Sequence, residues 1–210
     1  MTATEALVLH TSDGVALEAQ YAPPVDETRG SVVLCHPHPQ YGGTMRSIVV
    51  SALFEQLPDA GYGCVRFNFR GVEGSAGAHA GGELETEDVR AALEYAAGLR
   101  LSGPLALAGW SFGADMALSV IDARLGGWVG IAPPLRFGKA FDPVAHDPRP
   151  KHLVLAQHDE FRDPSDVETE VASWTRASTE IVPGASHFFI GRTDRVVAAT
   201  LTFLASLPRS

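Results

Sequence analysis

The segment Gly109-Trp110-Ser111-Phe112-Gly113 sets a hydroxyl between glycines two residues to either side. A serine that attacks a carbonyl has to project from a tight strand-to-helix turn, and glycines at those positions remove Cβ atoms that would collide inside it. The string alone recurs by chance in a chain rich in glycine and serine, so its position carries the meaning. An apolar run at residues 105–108 precedes it, and a helical pattern begins near Phe112. The start of that helix favours negative charge arising in front of it. Ser111 is the candidate nucleophile; the bland alternative is an ordinary glycine-rich turn.

A serine hydroxyl needs a base, and in turns of this kind the acid and then the histidine follow the serine along the chain. His146, His152, His158 and His187 lie downstream. His187 sits in residues 184–189, a short loop between the last strand and last helix candidates, from which an imidazole can swing over the strand ends. His152 starts a strand and His146 lies among prolines. Asp159 closes the run 153–158, which sets its carboxylate at the C-terminal edge of a strand, where catalytic groups collect in parallel sheets. It is the candidate for orienting His187. Glu160 and Asp163 are rivals, because strand ends read from sequence shift by about 2–4 residues.

Charge developing on the attacked carbonyl needs at least two aimed donors. The residue after the nucleophile, Phe112, supplies one backbone N–H, and the second belongs to the loop after residues 31–35. Pro37 and Pro39 have no N–H, so His38 is the first plausible donor, with Gln40 and Tyr41 behind it. Tyr41, Trp110, Phe161 and Phe188 are candidate substrate walls, together with Phe112, Pro133, Pro134 and Leu135. The pair His36 and His38 also invites a metal reading, but the stretch continues without the Asp-His that usually completes such a cluster. No metal site and no cofactor are expected.

These residues need a scaffold that brings them to one edge. Two short runs, 7–9 and 15–21, flank the tight-turn signal Ser12-Asp13-Gly14 and predict a hairpin. Strand candidates follow at 31–35, 63–69, 105–108, 128–132, 153–156 and 180–182. Helix candidates lie at 45–57, 83–99, 112–124, 167–174 and 196–207. The alternation predicts one α/β domain spanning 1–210, with a mostly parallel sheet and helices on both faces. Residues 133–150, rich in proline, form a long connection that either overlies a site or merely joins two strands.

Four segments carry a resemblance: HPHPQYGGTM at 36–45, RFNFRGVEGSAG at 66–77, AGWSFGAD at 108–115 and GASHFF at 184–189. Together they resemble the small, capless α/β-hydrolases related to dienelactone hydrolases and bacterial serine esterases, along essentially the whole chain. The resemblance implies an α/β-hydrolase fold of about eight strands, the first pair antiparallel, without a large cap. It also implies that Arg70 ties neighbouring loops by ion pairing. Dienelactone hydrolases proper use a cysteine where this chain has Ser111, which shifts the expectation toward general esters. The expected activity is cleavage of carboxylic esters of short or medium acyl chain through an acyl-enzyme. A peptidase, amidase or thioesterase using the same residues, or a catalytically silent binding protein, are the alternatives.

Composition narrows the partners. The chain has 25 acidic residues against 16 Lys and Arg, a net charge of -9, which repels nucleic-acid backbones and anionic lipid surfaces. The N-terminal residues have no basic stretch followed by a long apolar run, and no apolar run is long enough to span a bilayer. A cytoplasmic protein acting on a small-molecule ester, as monomer or homodimer, is expected. The two cysteines, Cys35 and Cys64, sit inside apolar strand candidates and read as reduced core thiols.

Overall fold

A computed structural model of the chain describes residues 4–137 and 141–208. The strands are β1 (Glu5–His10), β2 (Ala16–Ala22), β3 (Gly30–Cys35), β4 (Tyr62–Phe67), β5 (Leu105–Trp110), β6 (Leu125–Ile131), β7 (Lys151–His158) and β8 (Ala177–Ser186). The helices are α1 (Ile48–Gln56), α2 (Glu85–Gly98), α3 (Phe112–Leu118), α4 (Asp142–His146), α5 (Pro164–Val171) and α6 (Thr193–Ser206). All eight strands join one sheet in the order β1-β2-β4-β3-β5-β6-β7-β8, and β2 alone runs against its neighbours. This is the α/β-hydrolase fold.

The central strands read as apolar runs because both of their faces are covered. In β3 and β5, Val33, Cys35, Leu105 and Leu107 pack into one core layer, with Val89 and Leu93 of α2 and Met116 of α3. The alternate residues Val32, Leu34, Ala106 and Ala108 pack into the other, with Val49 and Leu53 of α1 and Val196 and Phe203 of α6. Alternate side chains of a strand point to opposite faces, so each fully buried strand contributes apolar surface to two layers. Cys35 and Cys64 are both buried free thiols, and burial raises both well above the ordinary thiol range.

Several elements differ in extent from the sequence reading. Helix α3 stops at Leu118 instead of continuing to about Arg124. There Ser119 turns its hydroxyl back onto the Asp115 carbonyl at 2.7 Å, and the β-branched Val120 and Ile121 follow. The Arg149 guanidinium then takes the carbonyls of Asp122 and Leu125, where the chain enters β6. Strand β8 is longer than expected and runs through Pro183, which an edge strand tolerates because one side of its backbone has no ladder partner. The long connection 133–150 holds the short helix α4, and its first residues run over the sheet edge beside Ser111.

Arg70 does what the resemblance implies. Its guanidinium holds Asp88 of α2 at 2.7 Å and Asp13 of the first hairpin turn at 2.8 Å, pinning the loop after β4 from two sides. The pair with Arg70 draws the Asp13 carboxyl down to about 2.

Candidate active site

Strand β5 ends at Trp110 and α3 begins at Phe112, so Ser111 alone makes the turn, with φ 55° and ψ −124°. Such a conformation costs a side-chain-bearing residue of order 1–3 kcal/mol and persists only where its surroundings enforce it. Here the Ser111 N–H is tied to the Ile131 carbonyl at 2.8 Å, and the glycines on either side make the turn sterically possible. A Cβ on Gly109 would run into the Gly113 carbonyl, and one on Gly113 into the carbonyls of Cys35 and His36.

The structure brings three distant side chains to this turn. His187, in the residue after β8, sets Nε2 2.9 Å from the Ser111 hydroxyl. Its Nδ1 lies 2.8 and 3.0 Å from the two carboxylate oxygens of Asp159, just past β7. A carboxylate accepts, so Nδ1 carries the proton and Nε2 is left with a lone pair aimed at the hydroxyl. The side chains of His187 and Asp159 are 6% and 5% exposed, which keeps water from competing for these bonds. A register shift between Ala156 and His158 interrupts the β7 ladder just before Asp159 and re-aims the chain there.

The neighbouring acids have other partners. Glu160 accepts the backbone N–H of His187 at 3.0 Å and so holds the loop, while Asp163 caps α5 through Ser165. Asp159 is itself fixed by the N–H groups of Phe161 and Arg162 at 2.9 and 3.2 Å. The opposite side of the His187 peptide is braced by the Trp110 indole, which donates to the His187 carbonyl at 3.1 Å. His152 stacks on Phe203 and meets Ser178, and His146 bonds within α4; neither reaches Ser111.

On the other side of the hydroxyl, the loop after β3 uses up most of its own donors. The N–H of Gln40 goes to the His38 ring, those of Tyr41 and Gly43 to the His38 carbonyl, and that of Gly42 to the Pro39 carbonyl. The Phe112 N–H lies in the first turn of α3, where no helical acceptor exists. Among the described residues the N–H groups of His38 and Phe112 have no partner. His36, by contrast, is fully engaged: Nδ1 donates to the Pro37 carbonyl at 2.6 Å and Nε2 accepts the Phe69 N–H at 3.0 Å. Its ring is fully buried, and that burial pushes its pKa down to about 3. Neither ring nitrogen of His36 is left for a metal ion.

A cavity of about 390 Å³ opens over Ser111 and His187. Tyr41, Trp110, Phe161, Phe188 and Pro134 line it, as the sequence reading expects. Three other expected walls do not. The Phe112 side chain is wholly buried, packed against His38, Phe69 and Phe137, and Pro133 and Leu135 are buried and do not line the cavity. Sequence reasoning missed Ile48, Arg136 and Phe137, which do line it. Ile48 reads as one more core residue of an apolar helix, yet as the first residue of α1 it is 47% exposed.

Asp115 was also missed. It is wholly buried in α3, and its carboxylate accepts three consecutive N–H groups, from Leu135, Arg136 and Phe137, at 2.8–2.9 Å. Burial raises its carboxyl to about 7 although those donors pull the other way. A lone acid within the apolar helix FGADMAL was the signal that could have found it.

No family model matches the chain. Among curated proteins it is 30% identical over 205 residues to an uncharacterized protein of Rickettsia prowazekii, covering 91% of this chain and 85% of that one. Among solved structures it is similar to an α/β serine hydrolase homologue from Coxiella burnetii, at 31% identity and a TM-score of 0.83, covering 97% of this chain and 98% of the other. It is also similar to an α/β serine hydrolase without a lid from Xanthomonas campestris, at 29% identity and a TM-score of 0.85, covering 99% and 98%. With this likeness running the length of both chains and the sheet order and strand-to-helix turn described above, the chain belongs to the small, lidless α/β serine hydrolases.

Proposed function

We propose that the protein cleaves carboxylic esters of short or medium acyl chain through an acyl-enzyme, with Ser111 as nucleophile, His187 as base and Asp159 as the group that orients it. The observation that carries this reading is the unbroken chain of hydrogen bonds from Asp159 through His187 to the Ser111 hydroxyl at the floor of the cavity. In the first step Ser111 Oγ attacks the carbonyl carbon while His187 Nε2 takes the hydroxyl proton. The N–H groups of Phe112 and His38 hold the resulting oxyanion. His187 then gives its proton to the departing alcohol oxygen, and water repeats the sequence to release the acid. The cycle needs no cofactor.

A cavity of about 390 Å³ with aromatic walls fits a small-molecule ester. Among the described residues no helix is long and apolar enough to cross a membrane. Two measurements test the reading. A fluorophosphonate should label the protein and fail to label Ser111→Ala; absence of labelling in the wild type would point to a silent binding protein instead. A panel of p-nitrophenyl esters of rising acyl length should show turnover that peaks at short or medium chains. Faster turnover of matched amides or thioesters would replace the ester assignment with an amidase or thioesterase.

A further inference from the structure

Among the described residues that line the cavity over Ser111, Arg136 is the only Lys, Arg, Asp or Glu. Elsewhere Arg46, Arg70, Arg124, Arg149 and Arg162 each hold a carboxylate, while among the described residues Arg29, Arg66, Arg100, Arg176 and Arg192 line no part of this cavity and hold none. Among the described residues Arg136 holds none, and the remaining residues bring no Asp or Glu side chain. Its guanidinium lies 5.0 Å over the Phe137 ring, which leaves its N–H fork unspent.

The backbone beneath it is unusually well held. Asp115 receives the N–H groups of residues 135 to 137, and Arg162 grips the Pro134 carbonyl at 2.9 Å. Leu135 is kept at φ 50°, in the left-handed region that a branched side chain avoids. Arg136 therefore stands on a fixed shelf at the cavity wall rather than on a loose loop. Its place also has a side. The ring of His187, which must protonate the departing alcohol, neighbours Phe161 at 4.6 Å and Phe188 at 5.7 Å. Phe137 instead neighbours His38 at 5.1 Å and Phe112 at 5.4 Å. Arg136, over Phe137, therefore lies on the side of the cavity marked by His38 and Phe112, away from the Phe161 and Phe188 side that flanks His187.

We propose that Arg136 receives a carboxylate on the acyl portion of the substrate, so that the natural substrates are half-esters of short dicarboxylic acids; this rests on the ester reading above. A guanidinium pairs a carboxylate through two parallel hydrogen bonds, which hold it in one orientation. The chemistry is the hydrolysis already described. A bond forms from Ser111 Oγ to the acyl carbon as the bond from that carbon to the alkoxy oxygen breaks, the alcohol leaves with the His187 proton, and water then breaks the Ser111 ester and supplies the oxygen of the second carboxylate.

The test compares kcat/KM, in a pH-stat, for monomethyl succinate, glutarate and adipate with that for neutral methyl esters of matching length. At least one half-ester should exceed its neutral partner by more than 10-fold. That ratio should fall by at least 10-fold in Arg136→Gln, should partly recover in Arg136→Lys, and should shrink with added salt because the residue is exposed. Neutral esters turned over as well as every half-ester, or a ratio unchanged in Arg136→Gln, would overturn the proposal and leave the ester reading intact. If no ester of either kind is turned over, the ester reading fails. Calorimetric binding of glutarate and adipate to Ser111→Ala then decides separately: binding lost in the double variant with Arg136→Gln supports the carboxylate site, and no binding overturns it.

Discussion

The loop after β3 and the loop after β8 each deliver a nearly buried histidine to the same edge of the sheet, and in each both ring nitrogens are occupied. They differ in what occupies them. His36 is held between a main-chain carbonyl and a main-chain amide, which exchange no proton with it, so the ring serves as a cross-tie between β3 and the loop after β4. His187 is held between a carboxylate and a hydroxyl, so the same ring can take a proton from one side while the other steadies the charge. Under the proposed mechanism, burial and full hydrogen bonding do not separate a structural histidine from a reactive one. The chemistry of the partners does.

Three substitutions can break that contrast, and a fourth tests the loop that Asp115 holds. The largest effect is expected from His187→Gln, which should lower kcat/KM on any turned-over ester by about 10³–10⁵-fold with little change in unfolding free energy. Asp159→Asn should follow at roughly 10³–10⁴-fold, because an amide stabilises the wrong imidazole tautomer; steady-state kinetics read both. His36→Ala should do the reverse, costing about 2–4 kcal/mol in urea unfolding while the folded fraction keeps most of its activity. Equal losses of activity at positions 36 and 187 would defeat the comparison. Asp115→Asn should cost about 1–3 kcal/mol, since one of three N–H donors would then face an amide NH₂.

The pH dependence of stability sharpens the same contrast. The folded state holds His36 neutral down to about pH 3, whereas the unfolded chain protonates it at about 6.5. The unfolded state therefore binds the extra proton, and the stability this group contributes is intact above 6.5 and lost as pH falls through that window. The slope from one such group is about 1.4 kcal/mol per pH unit. Urea midpoints measured from pH 7 to pH 4 should fall less steeply for His36→Gln than for the wild type, and equal slopes would remove His36 from the account.

Much of the scaffold was legible because buried parallel strands are apolar runs separated by glycine and proline, and the chain alternates them with helical patterns. What escaped depends on contacts between distant residues. The path from the end of α3 into β6 is held by Arg149, some thirty residues further on, through the carbonyls of Asp122 and Leu125, a contact that no local sequence signal announces. Sequence position favours Asp159 but leaves Glu160 and Asp163 close behind it, because the end of the strand can shift by a few residues. The structure separates them by partner, one facing the His187 ring, one the His187 backbone and one the start of α5. Ile48 and Phe137 escaped for a different reason. An apolar side chain lining a cavity has the same sequence signature as one in the core, so the cavity wall emerges only when the elements are assembled.

The turn at Ser111 has one more consequence. Its backbone angles are those a residue without a side chain adopts freely, so the molecule rests uphill of the conformation that its own chain would choose at this point. Silencing the hydroxyl by Ser111→Gly should therefore leave a protein that melts at a higher temperature than the parent, whereas Ser111→Ala, equally silent, keeps a Cβ in the same forbidden place and should not. If Ser111 is the nucleophile proposed above, its reactivity is bought with durability, and an inactive relative carrying glycine at this position would be the sturdier molecule.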